Sequence, residues 1–122
     1  MQTLLLLGGI MMALAVILGA FGGHALKKRL SPEMLAIYQI GVQYHIAHGL
    51  GLLLIGVLSG GMIESDLVLT SGWLLFAGIV LFSGSLYAMS LTGVKKLGAI
   101  TPIGGLSFIA GWILLIAAVV QG

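Results

Sequence analysis

Four apolar stretches divide this 122-residue chain, separated by polar breaks near residues 24–31, 60–66 and 93–100. Each is long enough to carry a helix across a hydrocarbon layer, because a layer of about 30 Å takes about 20 helical residues. The pattern predicts helices over about residues 3–23, 33–60, 67–92 and 101–120. Four passes use most of the chain, so the expected fold is all-α. It is a polytopic membrane protein, an antiparallel four-transmembrane-helix bundle, with residues 1–122 forming a single transmembrane domain.

Local signals support these elements. Ser31-Pro32-Glu33 sets a hydroxyl cap, a proline and an acid where a helix starts, and Thr101-Pro102 repeats the hydroxyl and proline. The run Gly19-Ala20-Phe21-Gly22-Gly23 is expected to close the first helix before a short basic segment from His24 to Leu30. The apolar run from Leu4 to Ala20 lacks a basic leader and exceeds a signal-peptide core of about 7–15 residues, so it is expected to be a retained helix. The two basic connectors share a pattern, Lys27-Lys28 before Ser31-Pro32 and Lys95-Lys96 before Thr101-Pro102. That pattern fits two hairpins related by a parallel repeat. The common need of two turns on one membrane face for basic anchors and helix caps also accounts for it.

Composition sharpens the picture. Hydrophobic residues make up 60% of the chain and charged residues 7%, with a mean hydropathy of +1.24. Soluble domains carry roughly 25% charged residues, so no soluble domain is expected here. All five basic residues sit in the clusters Lys27-Lys28-Arg29 and Lys95-Lys96, while Glu64 and Asp66 occupy the intervening break. Short basic loops stay in the cytoplasm, so the basic connectors are expected inside, and the Glu64/Asp66 turn and both termini outside. The net charge of +2 is then matched by anionic lipid headgroups, and nucleic acid is not an expected partner. Cysteine is absent, which excludes disulfides, thiolate nucleophiles and cysteine-bound clusters.

Small residues at four-residue spacing offer faces for close helix approach. These are Ala15, Gly19 and Gly23, then Gly56 and Gly60, then Gly84 and Ala88, then Ser107 and Gly111. They serve packing within the bundle or association with a second copy or another membrane protein.

No Asp, Glu, Lys or Arg falls well inside a span, so histidine and tyrosine are the titratable groups there. His45 and His48 share a helical face with Tyr38, Gly41, Gly49, Leu52 and Gly56, the face expected to pack inward. The pair admits several readings: a haem or metal site, a proton carrier, a hydrogen-bonding pocket, or neutral imidazoles that brace the bundle. His24 lies roughly 18 Å from the height of His45 in an antiparallel hairpin, so the three histidines are not expected to share a metal. His24 is instead expected to meet Glu33 in a structural contact. On the third helix Ser83, Tyr87 and Ser90 share a face, and hairpin arithmetic sets Tyr87 level with Gly104 and Gly105. Ser83 beside a histidine lacks an orienting acid and an oxyanion hole, so no catalytic residue is assigned.

The polar positions gather in one half. Gln39, Gln43, Tyr44, His45, His48, Ser83, Tyr87, Ser90 and Thr101 lie toward the basic connectors, and the other half is almost wholly apolar. A conduction path needs polar groups or water along its length, so a closed bundle with a polar pocket facing the cytoplasm is favoured over a channel.

Several segments carry a family resemblance: Gly19-Ala20-Phe21-Gly22-Gly23-His24-Ala25-Leu26; Tyr38-Gln39 with Val42-Gln43-Tyr44-His45 and His48; Phe82-Ser83-Gly84-Ser85-Leu86-Tyr87; and Leu97 to Gly105 with Gly111-Trp112. Together they resemble the bacterial inner-membrane family known as uncharacterised protein family 0382, or domain-of-unknown-function family 423, which is similar to eukaryotic transmembrane protein 256. Gly23 stands where the family's first motif has alanine, a departure that bears on local packing. The resemblance implies a small multi-pass protein of the bacterial plasma membrane and brings no catalytic role to any residue.

The sequence therefore predicts a non-enzymatic bundle without a cofactor, binding a lipid, small molecule or protein partner near the inner leaflet. His45, His48, Tyr87, Ser90, Ser83 and Gln43 are the candidate ligand-binding residues, and His24, Glu33 and Thr101 the structural polar ones. A small-solute or proton transporter, and a haem or metal protein using His45 and His48, are the alternatives.

Overall fold

The computed structural model describes residues 2–63 and 65–121, so the expectation for Glu64 lies outside the described residues. Among the described residues, four helices are long and apolar enough to cross a membrane. They are α1 (Gln2–Leu26), α2 (Pro32–Leu58), α3 (Asp66–Thr92) and α4 (Thr101–Gln121).

Their ends follow from capping chemistry, with two departures from the sequence reading. Ser31 caps α2 by accepting the Met34 N–H at 3.2 Å, with Pro32 as the first helical residue. Ser65 caps α3 by accepting the Leu67 N–H at 3.2 Å, and Asp66 favours the positive end of the same helix. Gly93 ends α3 in a left-handed conformation (φ 75°) and donates its N–H to Met89 O at 2.8 Å, a turn that suits glycine. Thr101, however, is not a cap. A 3-10 turn over Lys95–Ala99 leads into α4, and the Ile100 carbonyl accepts from the Ile103 and Gly104 N–H groups. The Thr101 hydroxyl is thereby released and meets Ser85 Oγ of α3 at 2.6 Å.

The second departure is in α1, which runs through its glycines to Leu26. Gly22 and Gly23 hold right-handed helical angles (φ −62° and −57°), because the chain crosses this region as a wide π turn, Ile17–Gly22. A second π turn interrupts α3 at Ile79–Ser83. An extra residue per turn resets the phase of a helix, and π turns often mark functional regions. In α3 the reset turns Tyr87 toward α2, where a Cβ on Gly41 would lie 2.9 Å from its ring. Gly104, which was expected level with Tyr87, is covered by the Phe82 backbone.

The helices pack in sequence, α1 along α2, α2 along α3 and α3 along α4. The middle pair is the interior, α2 and α3 burying a larger share of their residues than α1 and α4 do. The lone apolar faces look outward, Leu6, Ile10, Leu14, Ile17 and Phe21 on α1 and Leu106, Ile109, Ile113 and Ile116 on α4. A lipid solvent makes such faces favourable, and close packing then drives association.

Glycines permit that packing. A Cβ on Gly8 would reach Leu53, on Gly56 Leu5, on Gly72 Leu4, on Gly78 Phe108, and on Gly104 the Phe82 backbone nitrogen at 2.3 Å. Of the faces expected from spacing, Ala15 is buried, and a Cβ on Gly19, Gly56 or Gly111 would lie within about 3 Å of a neighbouring helix. Gly84 has Ile79 O at 4.0 Å, and a Cβ on Gly23 meets no described atom within 4 Å. Away from the basic connectors, Leu4, Leu52, Ile55, Val68, Leu75 and Ala118 form a sealed apolar core.

Candidate functional site at the basic end of the first hairpin

The second turns of α2 organise the polar half. Tyr38, Gly41, His45 and His48 are all buried on one face, and the first two bond the π turns. The Tyr38 hydroxyl donates to Leu18 O within the first π turn. From the second, Ser83 Oγ donates to Gly41 O at 2.7 Å. The first contact gives a carbonyl of a π turn a partner from outside its helix, and the second ties a side chain of the other π turn to the α2 backbone.

His45 lies deeper on this face. Its Nδ1 is 2.8 Å from the Tyr87 hydroxyl, and the Tyr87 ring lies tilted against Tyr38, with centroids 5.3 Å apart. Its Nε2 is the one buried side-chain polar atom without a hydrogen-bond partner among the described residues. The Met11 backbone of α1 lies nearby but outside hydrogen-bond geometry.

His48 is differently placed. Trp112 Nε1–H of α4 donates to His48 Nε2 at 3.0 Å, which requires the proton on Nδ1, and Nδ1 donates to Tyr44 O at 2.8 Å. Phe108 stacks on the imidazole at 3.6 Å, and Phe82 and Tyr44 complete an aromatic cluster. Both ring nitrogens are thus engaged, and a metal or haem iron would have to displace Trp112 or break the helical contact. Among the described residues, no three His, Asp or Glu side chains are grouped to hold a metal.

The remaining expected residues divide in the same way. Ser90 is buried and donates to Tyr87 O at 3.0 Å, and Thr101 bonds Ser85. His45, His48, Ser83, Tyr87 and Ser90 therefore stand in helix contacts. Gln43 is exposed and borders a groove, and Glu33 stands exposed in the first turn of α2.

That groove lies between α1 and α2 at the end bearing the basic connectors. One lobe, about 200 Å³, is lined by Gly19, Gly23, Tyr38, Gln39, Val42 and Gln43. The adjoining lobe, about 240 Å³, shares Gly19, Gly23 and Gln39 and adds His24 and Lys27. Spacing creates it. Gly19 and Gly23 are four apart on α1, facing Gln39 and Gln43 four apart on α2, so bare backbone meets two amides over one turn. Sequence reasoning counted the glycines as packing residues and missed His24, Lys27, Gln39 and Val42 as walls. The paired i, i+4 glycine and amide spacing was the available signal.

A wider dent of about 400 Å³ sits at the opposite end, bordered by Ser59, Gly61, Ile63, Ser65, Asp66 and Leu69. Its hydroxyls serve the local backbone, Ser59 donating to Gly56 O at 2.8 Å and Ser65 capping α3, so it presents few free polar groups.

Comparison with known proteins places the chain. A family model described as protein of unknown function (DUF423) matches residues 18–105. The UPF0382 membrane protein YwdK of Bacillus subtilis (strain 168) is 48% identical over 121 residues, covering 99% of this chain and 98% of the relative. A UPF0382 membrane protein of Staphylococcus haemolyticus is 50% identical over 116 residues (95% and 93%), and one of Staphylococcus epidermidis 49% over 121 residues (99% and 98%). No solved structure matches. With four apolar helices, a matching family model and near full-length relatives, this chain belongs to the DUF423/UPF0382 family of bacterial membrane proteins.

Proposed function

We propose that this multi-pass protein is a non-enzymatic binding bundle that holds a membrane amphiphile in the groove between α1 and α2. In this reading the basic connectors face the cytoplasm, the Asp66 turn and both termini face outward, and the groove opens at the inner leaflet. The observation that carries the reading is the pair of adjoining lobes over Gly19 and Gly23, polar at the connector and less so one turn deeper. Gly23 supports it particularly. A side chain there has open space, so the void is not demanded by helix packing. The sealed apolar core in the other half argues for holding a ligand over conducting one.

Mass spectrometry after mild detergent extraction tests the binding. The wild-type protein should retain a lipid-sized amphiphile in stoichiometric amount, and Gly23→Leu, which fills the groove from one wall, should release it. Equal retention by both proteins overturns the reading. Orientation is checked separately. Because the chain lacks cysteine, single substitutions Lys28→Cys and Asp66→Cys report their side directly. An impermeant thiol reagent added to intact cells should label the second and spare the first.

A further inference from the structure

We infer that the groove between α1 and α2 selects an anionic phosphate headgroup of an inner-leaflet phospholipid, with Lys27 and Gln39 as its principal contacts. The inference rests on the groove reading above and adds the chemistry of the occupant. The polar lobe is bordered by Gly19, Gly23, His24, Lys27 and Gln39. It has one full cation, one imidazole, one amide and two stretches of bare backbone, and no carboxylate borders either lobe. Lys27 offers three ammonium donors and Gln39 two amide donors, while a phosphodiester offers only acceptors and one negative charge. The match in sign and hydrogen-bond sense is complete. The C-terminal carbonyls of α1 oppose an anion with roughly half a charge, which is less than the full charge of Lys27.

The second lobe gives the reason for a lipid over free phosphate. It continues one helical turn along Val42 and Gln43, and beyond it Ile46 and Leu50 of α2 are exposed along the same helix. Tyr38 also borders this lobe, with its hydroxyl already given to Leu18 O. Gln43 can donate to or accept from the ester groups of a glycerol backbone, and the exposed apolar side chains suit an acyl chain. A free ion would leave this lobe unused.

The full-length protein, reconstituted in vesicles of equal phosphatidylglycerol and phosphatidylcholine, extracted mildly and read by native mass spectrometry, should retain phosphatidylglycerol in preference. A cation at the membrane surface is worth about fivefold in anionic lipid binding, so Lys27→Gln should cut that preference about fivefold. Lys28→Gln, a neighbouring charge that does not border either lobe, should leave it unchanged. Equal losses in the two variants would mean a general surface attraction and overturn the inference. Equal retention of both lipids by the wild type, with both lost in Gly23→Leu, would overturn the phosphate assignment while leaving the groove reading in place. If Gly23→Leu retains both lipids, the groove reading itself fails. Release of phosphatidylglycerol by millimolar inorganic phosphate would show a site for the free ion and overturn the choice of a lipid.

Discussion

The two hairpins begin alike and finish differently. In each, an aromatic residue and then a glycine follow the helix-opening proline at the same distances, Tyr38 and Gly41 after Pro32, Phe108 and Gly111 after Pro102. Each aromatic covers a glycine of the preceding helix beside a π turn, Tyr38 over Gly22 and Phe108 over Gly78. The second hairpin then closes. Gly104 lies on the Phe82 backbone, Ser107 Oγ donates to Leu74 O at 2.7 Å, and Thr101 bonds Ser85. The first stays open. A Cβ on Gly19 would meet only the Val42 side chain, at 3.0 Å, and one on Gly23 would enter open space. Placing the glycine on the later helix, at Gly104, lets backbone meet backbone, whereas glycines on the earlier helix opposite Gln39 and Gln43 leave a polar trough. A shared hairpin plan is thus used once as a structural clamp and once as a candidate binding surface.

The widest separation between them should come from glycine substitution. Gly104→Ala puts a methyl 2.3 Å from the Phe82 nitrogen, where only backbone can yield. Overpacking of this kind costs about 1–3 kcal/mol, and the rigid neighbour places it at the upper end. Thermal unfolding in detergent should show a large drop for Gly104→Ala and an unchanged midpoint for Gly23→Ala. Similar drops would mean that the first hairpin is as tightly closed as the second.

Next in size is the contact joining the hairpins at His45. Tyr87→Phe leaves Nδ1 without its partner while Nε2 is already unpaired, so a fully orphaned imidazole stays buried. Such a loss costs about 1–3 kcal/mol. His45→Leu removes the orphan together with its bond, so it should be milder, and adding Tyr87→Phe to it should cost little more. Additive losses in the double variant would mean that the two side chains act independently.

How far these differences were legible depends on what each residue answers to. The four helices and the cap at Ser31 follow from local chemistry, hydropathy over one span and a hydroxyl before a proline, and both can be read without knowing the neighbours. The inward face through Tyr38, His45 and Leu52 followed from the regular period of α2, whose ladder is uninterrupted. Tyr87 and Thr101 were displaced because α3 and the turn before α4 break that period, by the π turn Ile79–Ser83 and the 3-10 turn Lys95–Ala99. Wheel arithmetic fails wherever residues per turn change. The groove was hidden for another reason. Gly19 and Gly23 look identical in sequence whether they receive a neighbour or leave a space, and only the packing of α1 on α2 decides. Gln43 was named as a candidate ligand-binding residue, while Gln39 was counted only among the polar positions and Lys27 only in a basic connector.

The smallest expected effect concerns a tyrosine hydrogen bond that the first hairpin has and the second lacks. Tyr38 donates to Leu18 O, whereas Phe108, its counterpart after Pro102, has no hydroxyl to give to the second π turn. Hydrogen bonds between membrane helices contribute about 0.6 kcal/mol on average, so Tyr38→Phe should lower stability only slightly. The hydroxyl is the atom nearest Gly22, and the ring behind it stays close enough to keep most of the packing. The change should appear locally. Amide hydrogen exchange in Ile17–Gly22 should quicken in Tyr38→Phe while Ile79–Ser83 stays as in the wild type, because Ser83 still holds Gly41 O. If both π turns quicken together, α2 grips them as one unit and the two hairpins are less independent than their packing suggests. If neither changes, the π turn is held by its own backbone and the tyrosine serves the groove wall alone.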